Sequence, residues 1–482
     1  MTSRPGVVVQ LQELPSPISF PSDTGTWFVA GTSDRGSSTQ AQEITSLADF
    51  VNTYGARQTY SVLYDALETF FREGGSHAYV ARVVGPAAAS GTHNLLDASA
   101  GVSLIVTALG PGAWSANYKV GVVNGVASGT YQIQITDASN NVLEQSSDLG
   151  DQGSAVAWSN YSNYVRITLG ASALLPAVVA PAALSAGNDD RNNITDAQWA
   201  TALTLFSPAL GPGQVSEPGR TSSTAYNQVK AHVESNGRVG LLDLPDSPTV
   251  ATLQAAAAGV SSRFCAAFGP WAVVSGLTTG TTRTVPPTAL IAGMIARNDP
   301  SLGANQPAAG NYGQAQFVID LSQPDWNDTQ RTTLNSSSCN IVRRMFGAIR
   351  NYGWRSLTNA ISDPSWVDFG NARFYTELVA ELDLIGENYI FSEIDGLNGV
   401  TMTSFHTSLA ACLMAHYAAG ELFGDTADQA FSVDTGPSVN TPQTIANNEL
   451  HATCMVVMSP FAEQVFINIV KNQVTAVSLA AA

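Results

Sequence analysis

Apolar and polar positions change their period several times along this chain, and the changes mark its parts. Residues 1–22 hold one short β-prone run, Val7-Val8-Val9-Gln10-Leu11, between Pro5-Gly6 and Pro15, Pro17 and Pro21. Proline cannot donate to a sheet ladder, so this run has no hairpin partner nearby. Ten extended residues reach about 33 Å, far enough to meet a neighbouring molecule. From 26 to 85 the pattern is α/β. Trp27-Phe28-Val29-Ala30-Gly31 predicts a buried strand. Ile44, Leu47, Phe50 and Val51 have helical spacing, as do Leu63, Ala66, Leu67, Phe70 and Phe71, where Gly74-Gly75 ends the helix. Ala78 to Val84 predicts a second strand.

Helical periodicity fades over 86–182. Short alternating runs such as Tyr131-Gln132-Ile133-Gln134-Ile135 and Tyr164-Val165-Arg166-Ile167 predict a small β domain inserted between two halves of an α/β domain. The α/β pattern returns over 183–325. Trp199, Leu203 and Phe206 suit a helix, Val239 to Leu244 a buried strand, 251–264 an Ala-rich helix, and Phe264 to Ser275 another strand. From 326 the pattern is α+β. Phe374, Leu378, Glu381, Leu382 and Ile385 share one helix; Phe405, Leu409, Cys412, Leu413, His416 and Tyr417 share another. Strands are expected at 452–458 and 464–470, then a second β-prone arm with Val474, Ala476, Val477 and Leu479. Ile341, Met345 and Ile349 have helical spacing too, although Gly347 and Gly353 oppose a helix there.

The expected fold class is therefore α/β and α+β multidomain. Its parts are an N-terminal arm (1–22), an α/β domain (23–85 plus 183–325), an inserted β-rich domain (86–182), a C-terminal α+β domain (326–470) and a C-terminal arm (471–482).

Charge narrows the function. The 482 residues carry a net −17 with only 12% charged positions, against the clustered basic side chains that nucleic-acid backbones require. No run is long and apolar enough for a membrane helix, and the first residues do not read as a secretory signal, so assembly in the cytoplasm is expected. Six basic residues (Arg331, Arg343, Arg344, Arg350, Arg355, Arg373) fall between 331 and 373, whereas 374–463 holds twelve acidic residues and no Lys or Arg. Such blocks either pair inside one molecule or set opposite patches that guide association between copies.

Local signatures of chemistry are missing. There is no G-x-x-x-x-G-K-[ST] loop, G-x-S-x-G elbow, H-E-x-x-H helix or G-x-G-x-x-G turn after a strand. Cys412 and His416 have the spacing for a shared metal, yet they also continue an apolar helix face, and core packing is the favoured reading. Glu377, Glu381 and Asp383 suit a solvated helix face. Cys265, Cys339, Cys412 and Cys454 include no C-x-x-C pair; they read as reduced buried thiols or, after release from the cell, as disulfides between subunits. No catalytic, cofactor or metal site is expected.

Several blocks, taken in order, resemble the tail sheath proteins of contractile bacteriophages. Arg4-Pro5-Gly6-Val7 is similar to their P-G-V-Y opening, and Trp27 to Gly36 to their first buried strand and loop. The most specific stretch is Gly269-Pro270-Trp271, Val285-Pro286-Pro287-Thr288 and Ala292-Gly293-Met294-Ile295-Ala296-Arg297-Asn298-Asp299. Leu334, Asn340-Ile341 and Gly353-Trp354-Arg355-Ser356-Leu357 follow, then Ala462-Glu463-Gln464-Val465. The sequence departs at Thr288, at the exchanged Gly353-Trp354 and at Phe461. The likeness covers roughly 1–85 and 239–482, and it turns 341–350 from helix to strands.

The resemblance implies a structural, non-enzymatic subunit. It polymerises around a tail tube in an extended metastable state, then contracts to drive the tube through a host envelope for genome delivery. Implied partners are further copies of the chain, the tail tube protein, and baseplate and terminator proteins; no cofactor, nucleic acid or membrane insertion is implied. The place would be the virion, assembled in host cytoplasm. Val7, Val8, Val9, Leu11, Val474, Ala476, Val477 and Leu479 would exchange strands between subunits. Arg343, Arg344, Arg350 and Arg355 would face the tube or another subunit. Alternatives are the sheath of a bacteriocin or other contractile injection system, a hydrolase with a dispersed site, and a surface-layer protein.

Overall fold

The computed structural model describes residues 24–359, 361–397, 399–469 and 471. The arm residues Val7, Val8, Val9, Leu11, Val474, Ala476, Val477 and Leu479 lie outside them. The chain divides into two compact units, up to Ile390 and from Phe391.

The first unit starts with β1 (Trp27–Gly31), buried at every position. β2 (Gln42–Ile44), α1 (Leu47–Tyr54), α2 (Leu63–Arg72) and β3 (Ala78–Arg82) follow. Ile44, expected on a helix, instead pairs with Ala78 in the sheet. The helix starts only at Leu47, because the Ser46 side chain accepts the Asp49 N–H and ends the strand.

The chain then leaves the sheet through β4 (Thr92–Leu96), β5 (Val102–Ala108), β6 (Lys119–Asn124), β7 (Tyr131–Thr136), β8 (Val142–Gln145), α3 (Gln152–Ser159), β9 (Val165–Leu169) and β10 (Val179–Ala183). These strands form two antiparallel sheets, ordered β4-β5-β9 and β10-β6-β7-β8, over a separate core that includes Leu104, Val120, Ile133 and Ile135. Helix α3 was not legible from apolar spacing; its start is set by Asp151, which accepts the Ser154 N–H.

Back in the body come α4 (Asp196–Thr204), β11 (Gln214–Ser216), α5 (Ser223–Asn236), β12 (Val239–Asp243), α6 (Val250–Ala258) and β13 (Cys265–Gly269). Next are β14 (Ala272–Ser275), β15 (Thr282–Val285), α7 (Pro287–Leu302), β16 (Asp320–Leu321), α8 (Asp328–Ser336), β17 (Cys339–Met345), β18 (Ala348–Asn351) and α9 (Phe369–Glu387). The expected strand over 264–275 is two strands. Pro270 breaks the ladder, sending β13 into the main sheet and β14 into a small one ordered β15-β14-β16.

The main sheet has the order β18-β17-β13-β12-β11-β1-β3-β2. From β17 to β3 every pairing is parallel; β18 and β2 close the edges antiparallel. Parallel strands need cover on both faces. Trp27 and Val29 accordingly enter one apolar core, and Phe28 and Ala30 the other. Residues 339–351 are strands, as the resemblance implied and against the helical spacing. They also correct the expected boundary at 325/326. β13 offers an open parallel edge, and Cys339 to Val342 are buried against it, so 326–390 belong with the α/β body.

The second unit contains α10 (Val400–Ala419), α11 (Ala427–Ala430), β19 (Phe431–Asp434), α12 (Pro442–Ala446) and β20 (Thr453–Val456). Met402, Phe405, Leu409 and Leu413 are the buried apolar stripe of α10. Asn440, fully buried, ties the return loop together by donating to Thr435 and His451 carbonyls and accepting the His451 N–H. The strand expected at 464–470 is absent from 464–469.

Three charged side chains fix the body internally. Arg82 is buried and donates to the carbonyls of Ser33, Asp34, Gly36 and Pro111, joining the insertion to the loop after β1. Arg35 bonds the Tyr118 hydroxyl at 2.5 Å and the Asn52 carbonyl at 2.6 Å. Glu73, buried at the end of α2, accepts the N–H groups of Gln316 and Phe317 at 2.8 Å and faces Arg297. Glu73→Ala leaves those buried donors unpaired and removes the carboxylate facing Arg297, which keeps its bonds to the Glu73 and Gln314 carbonyls. It should lower unfolding free energy by about 3 kcal/mol in denaturant titration of the full chain.

Candidate assembly surface

The second unit exposes strand backbone and apolar side chains together. Among the described residues its sheet consists of β19 and β20, and two strands are marginal without further cover. Met455 and Val457 are exposed on and beside β20, with Phe423 exposed next to them, where its N–H donates to Val457. Val465, Phe466, Ile467 and Ile469 are almost fully exposed. An open strand edge beside an apolar run can add a strand from another chain through main-chain hydrogen bonds.

The basic block lies in the first unit. Arg331 and Arg343 both pair with Asp325 at 3.0 Å, Arg344 pairs with Asp320 at 3.0 Å, and Arg373 is buried against Asp299. These partners precede the block in sequence. Arg350 donates to the Asn311 side chain at 2.8 Å, and the Arg355 N–H donates to Asn340 at 2.6 Å. Of the four arginines expected at a tube or subunit contact, Arg343, Arg344 and Arg350 share the β17–β18 hairpin. Arg355 lies four residues beyond it.

All four thiols are free. Burial pushes Cys265 and Cys339 up to about 12. Both are sealed in the sheet, out of reach of another subunit, which corrects their candidacy for disulfides between molecules. Cys412 and Cys454 are partly buried in the second unit. His416 meets Glu421 at 2.5 Å across the end of α10.

The sheet also has a crevice where strand order reverses, between the C-terminal ends of β1 and β11. Small molecules bind at such points in many open α/β sheets. Here the cavity is about 200 Å³, walled by Tyr60, Val62, Leu63, Trp199 and Trp271, with Arg220 at one side. No cysteine, histidine or carboxylate is among its lining residues. Arg220 lies over the Trp199 ring and pairs with Asp196 and the buried Glu217. Burial raises Glu217 to about 7 and Asp243 to about 6. Asp243 accepts the Gly219 N–H at 2.8 Å and the Thr288 N–H at 2.9 Å, pinning the loop after β11 to the first turn of α7. Asp243 thus holds backbone in place.

Comparison with solved structures agrees with this architecture. The chain is similar to the sheath tail protein of Listeria innocua, with 14% identity and a TM-score of 0.62 over 90% of this chain and 95% of that one. It is similar to the sheath tail protein of Desulfitobacterium hafniense at 13% identity and TM-score 0.53, over 89% and 93%. The contracted helical sheath of the anti-feeding prophage matches at 15% identity and TM-score 0.57, over 98% of this chain and all of that one. No protein-family model matches the sequence, and no curated protein matches it. The fold is that of the contractile tail sheath proteins.

Two outcomes follow. Asp243 has its folded value above the ordinary 3.8. Between pH 4 and 6 the folded chain therefore keeps a proton that the unfolded chain has lost. Stability from this group falls as pH rises through that window, by roughly 3 kcal/mol. Asp243→Asn should thus be more damaging at pH 4 than at pH 7 in paired denaturant titrations. Phe466→Asp with Ile467→Asp removes exposed apolar surface only. It should change unfolding free energy by about 0.5 kcal/mol or less, while raising the concentration at which the chain self-associates in sedimentation.

Proposed function

We propose that this chain is the sheath subunit of a contractile bacteriophage tail. The carrying observation is likeness to sheath proteins along nearly the whole chain, including the contracted anti-feeding prophage sheath. The P-G-V, P-W and V-P-P-T to A-R-N-D blocks support it from sequence. Copies polymerise around a tail tube, held by the terminal arms and by strand addition to the β19–β20 sheet. Contraction exchanges one set of subunit contacts for a lower-energy set by rigid-body movement. Open helical growth requires heterologous contacts, each patch fitting a different patch on the next copy. The tail tube, baseplate and terminator proteins are the other partners, and the work is mechanical.

A second reading places the same subunit in an extracellular injection particle. It is supported by similarity to the contracted sheath of such a system, at 14% identity and TM-score 0.57 over 98% of both chains. The two readings share one mechanism and differ in what the tube delivers.

Negative-stain electron microscopy of concentrated full-length protein, alone and with tube protein, tests both. Hollow striated tubes of uniform width are expected. Deleting residues 1–12 should leave folded monomers, by circular dichroism, that form none. Monomers from the full-length chain under every condition would overturn the sheath reading.

A further inference from the structure

The β17–β18 hairpin carries a feature that its own fold does not use. β17 pairs with β13 only through Cys339–Ile341, while Val342–Met345 pairs with β18 alone, so the hairpin projects past the body of the sheet. Met345 pairs with Ala348, leaving Phe346-Gly347 as a two-residue turn with φ +49° and +81°. Such turns favour Asn-Gly, because a side chain at positive φ crowds the backbone. A phenylalanine in the first position is costly there, and here it is 91% exposed. Its ring buries almost nothing in the monomer.

The hairpin is also held stiffly. Arg344 donates to the Ile319 carbonyl at 2.8 Å and pairs with Asp320, and Arg343 pairs with Asp325 beneath the turn. A projecting aromatic on a braced turn loses little freedom when it docks, which is the condition for an effective anchor.

The crevice between β1 and β11 has the complementary properties. It is a cavity of about 200 Å³ with Tyr60, Trp199 and Trp271 in its walls. An apolar cavity of about 150 Å³ is enough to hold benzene. Neither surface sets a bare charge against the other: Arg220 at the crevice pairs with Asp196 and Glu217, and Arg344 on the hairpin pairs with Asp320. Among the described residues, one chain thus carries both an exposed phenyl knob and an aromatic-walled crevice of the size to take it.

We propose that Phe346 of one copy seats in the β1–β11 crevice of another copy, as a contact between subunits of the assembly. This rests on the reading that copies of the chain associate. Being a patch that meets a different patch, the contact is heterologous, the kind that extends a polymer.

The test uses the full-length chain. Phe346→Asn keeps the turn geometry and should leave the circular dichroism spectrum unchanged, with a melting temperature equal or higher. It should raise the threshold concentration for tubes in sedimentation and microscopy at least tenfold. Mixed Phe346→Cys and Tyr60→Cys chains, treated with a short bis-maleimide, should give a covalent dimer linked between positions 346 and 60 by peptide mass spectrometry. Neither variant mixed with wild type should give that link. Tubes from Phe346→Asn at the wild-type threshold overturn the proposal while leaving the sheath reading intact. A raised threshold without the 346–60 link also overturns it, since the knob then docks elsewhere. A wild-type chain that never associates overturns both.

Discussion

Strand β1 has no face toward water. All five of its residues are buried, with parallel neighbours on both sides and an apolar core above and below. A backbone enclosed in that way has to make every hydrogen bond to adjacent strands, because no solvent is present to substitute. That requirement brings β3 to one side and β11 to the other and puts helices over both faces. It also sends the intervening chain away from the sheet, since no free edge remains beside β1. The long excursion between β3 and β11 is therefore accommodated as a body with its own core.

Charged groups set the joints of this arrangement. Arg82, Glu73 and Asp243 are buried, and each bonds backbone of segments remote in sequence. A buried charge without partners is strongly unfavourable, so each keeps its loops in one geometry. The body is thereby held in one internal geometry. At the crevice Arg220 pairs with both Asp196 and the buried Glu217.

The sequence disclosed what apolar period controls. The long periodic runs at β1, α2, β12, α9 and α10 sit where the spacing put them. Ile44 misled because three residues of β2 are too few to show alternation. The 464–469 run misled differently: Val465, Phe466 and Ile467 are apolar as a strand would be, yet they are exposed, and apolar content alone does not say what covers it. Placement of β17 was illegible because residues 339–341 pair with β13, about seventy residues earlier, and no local pattern encodes that edge. Of the candidate contacts, the arginines could be listed from charge alone, but not their engagement with Asp320 and Asp325. Phe346 was hidden because nothing in Met-Phe-Gly-Ala states that the turn has positive φ at both positions.

The two ends of the inserted body nearly touch. Ala89 bridges Asn188, and the Gly85 N–H donates to the Asp189 carbonyl at 2.8 Å. Entry and exit thus form one narrow stalk, braced by Arg82 and Arg35 against the loop after β1. A stalk of that kind makes the body a cassette. The same doorway would accept a foreign domain with equally close ends, grafted for display.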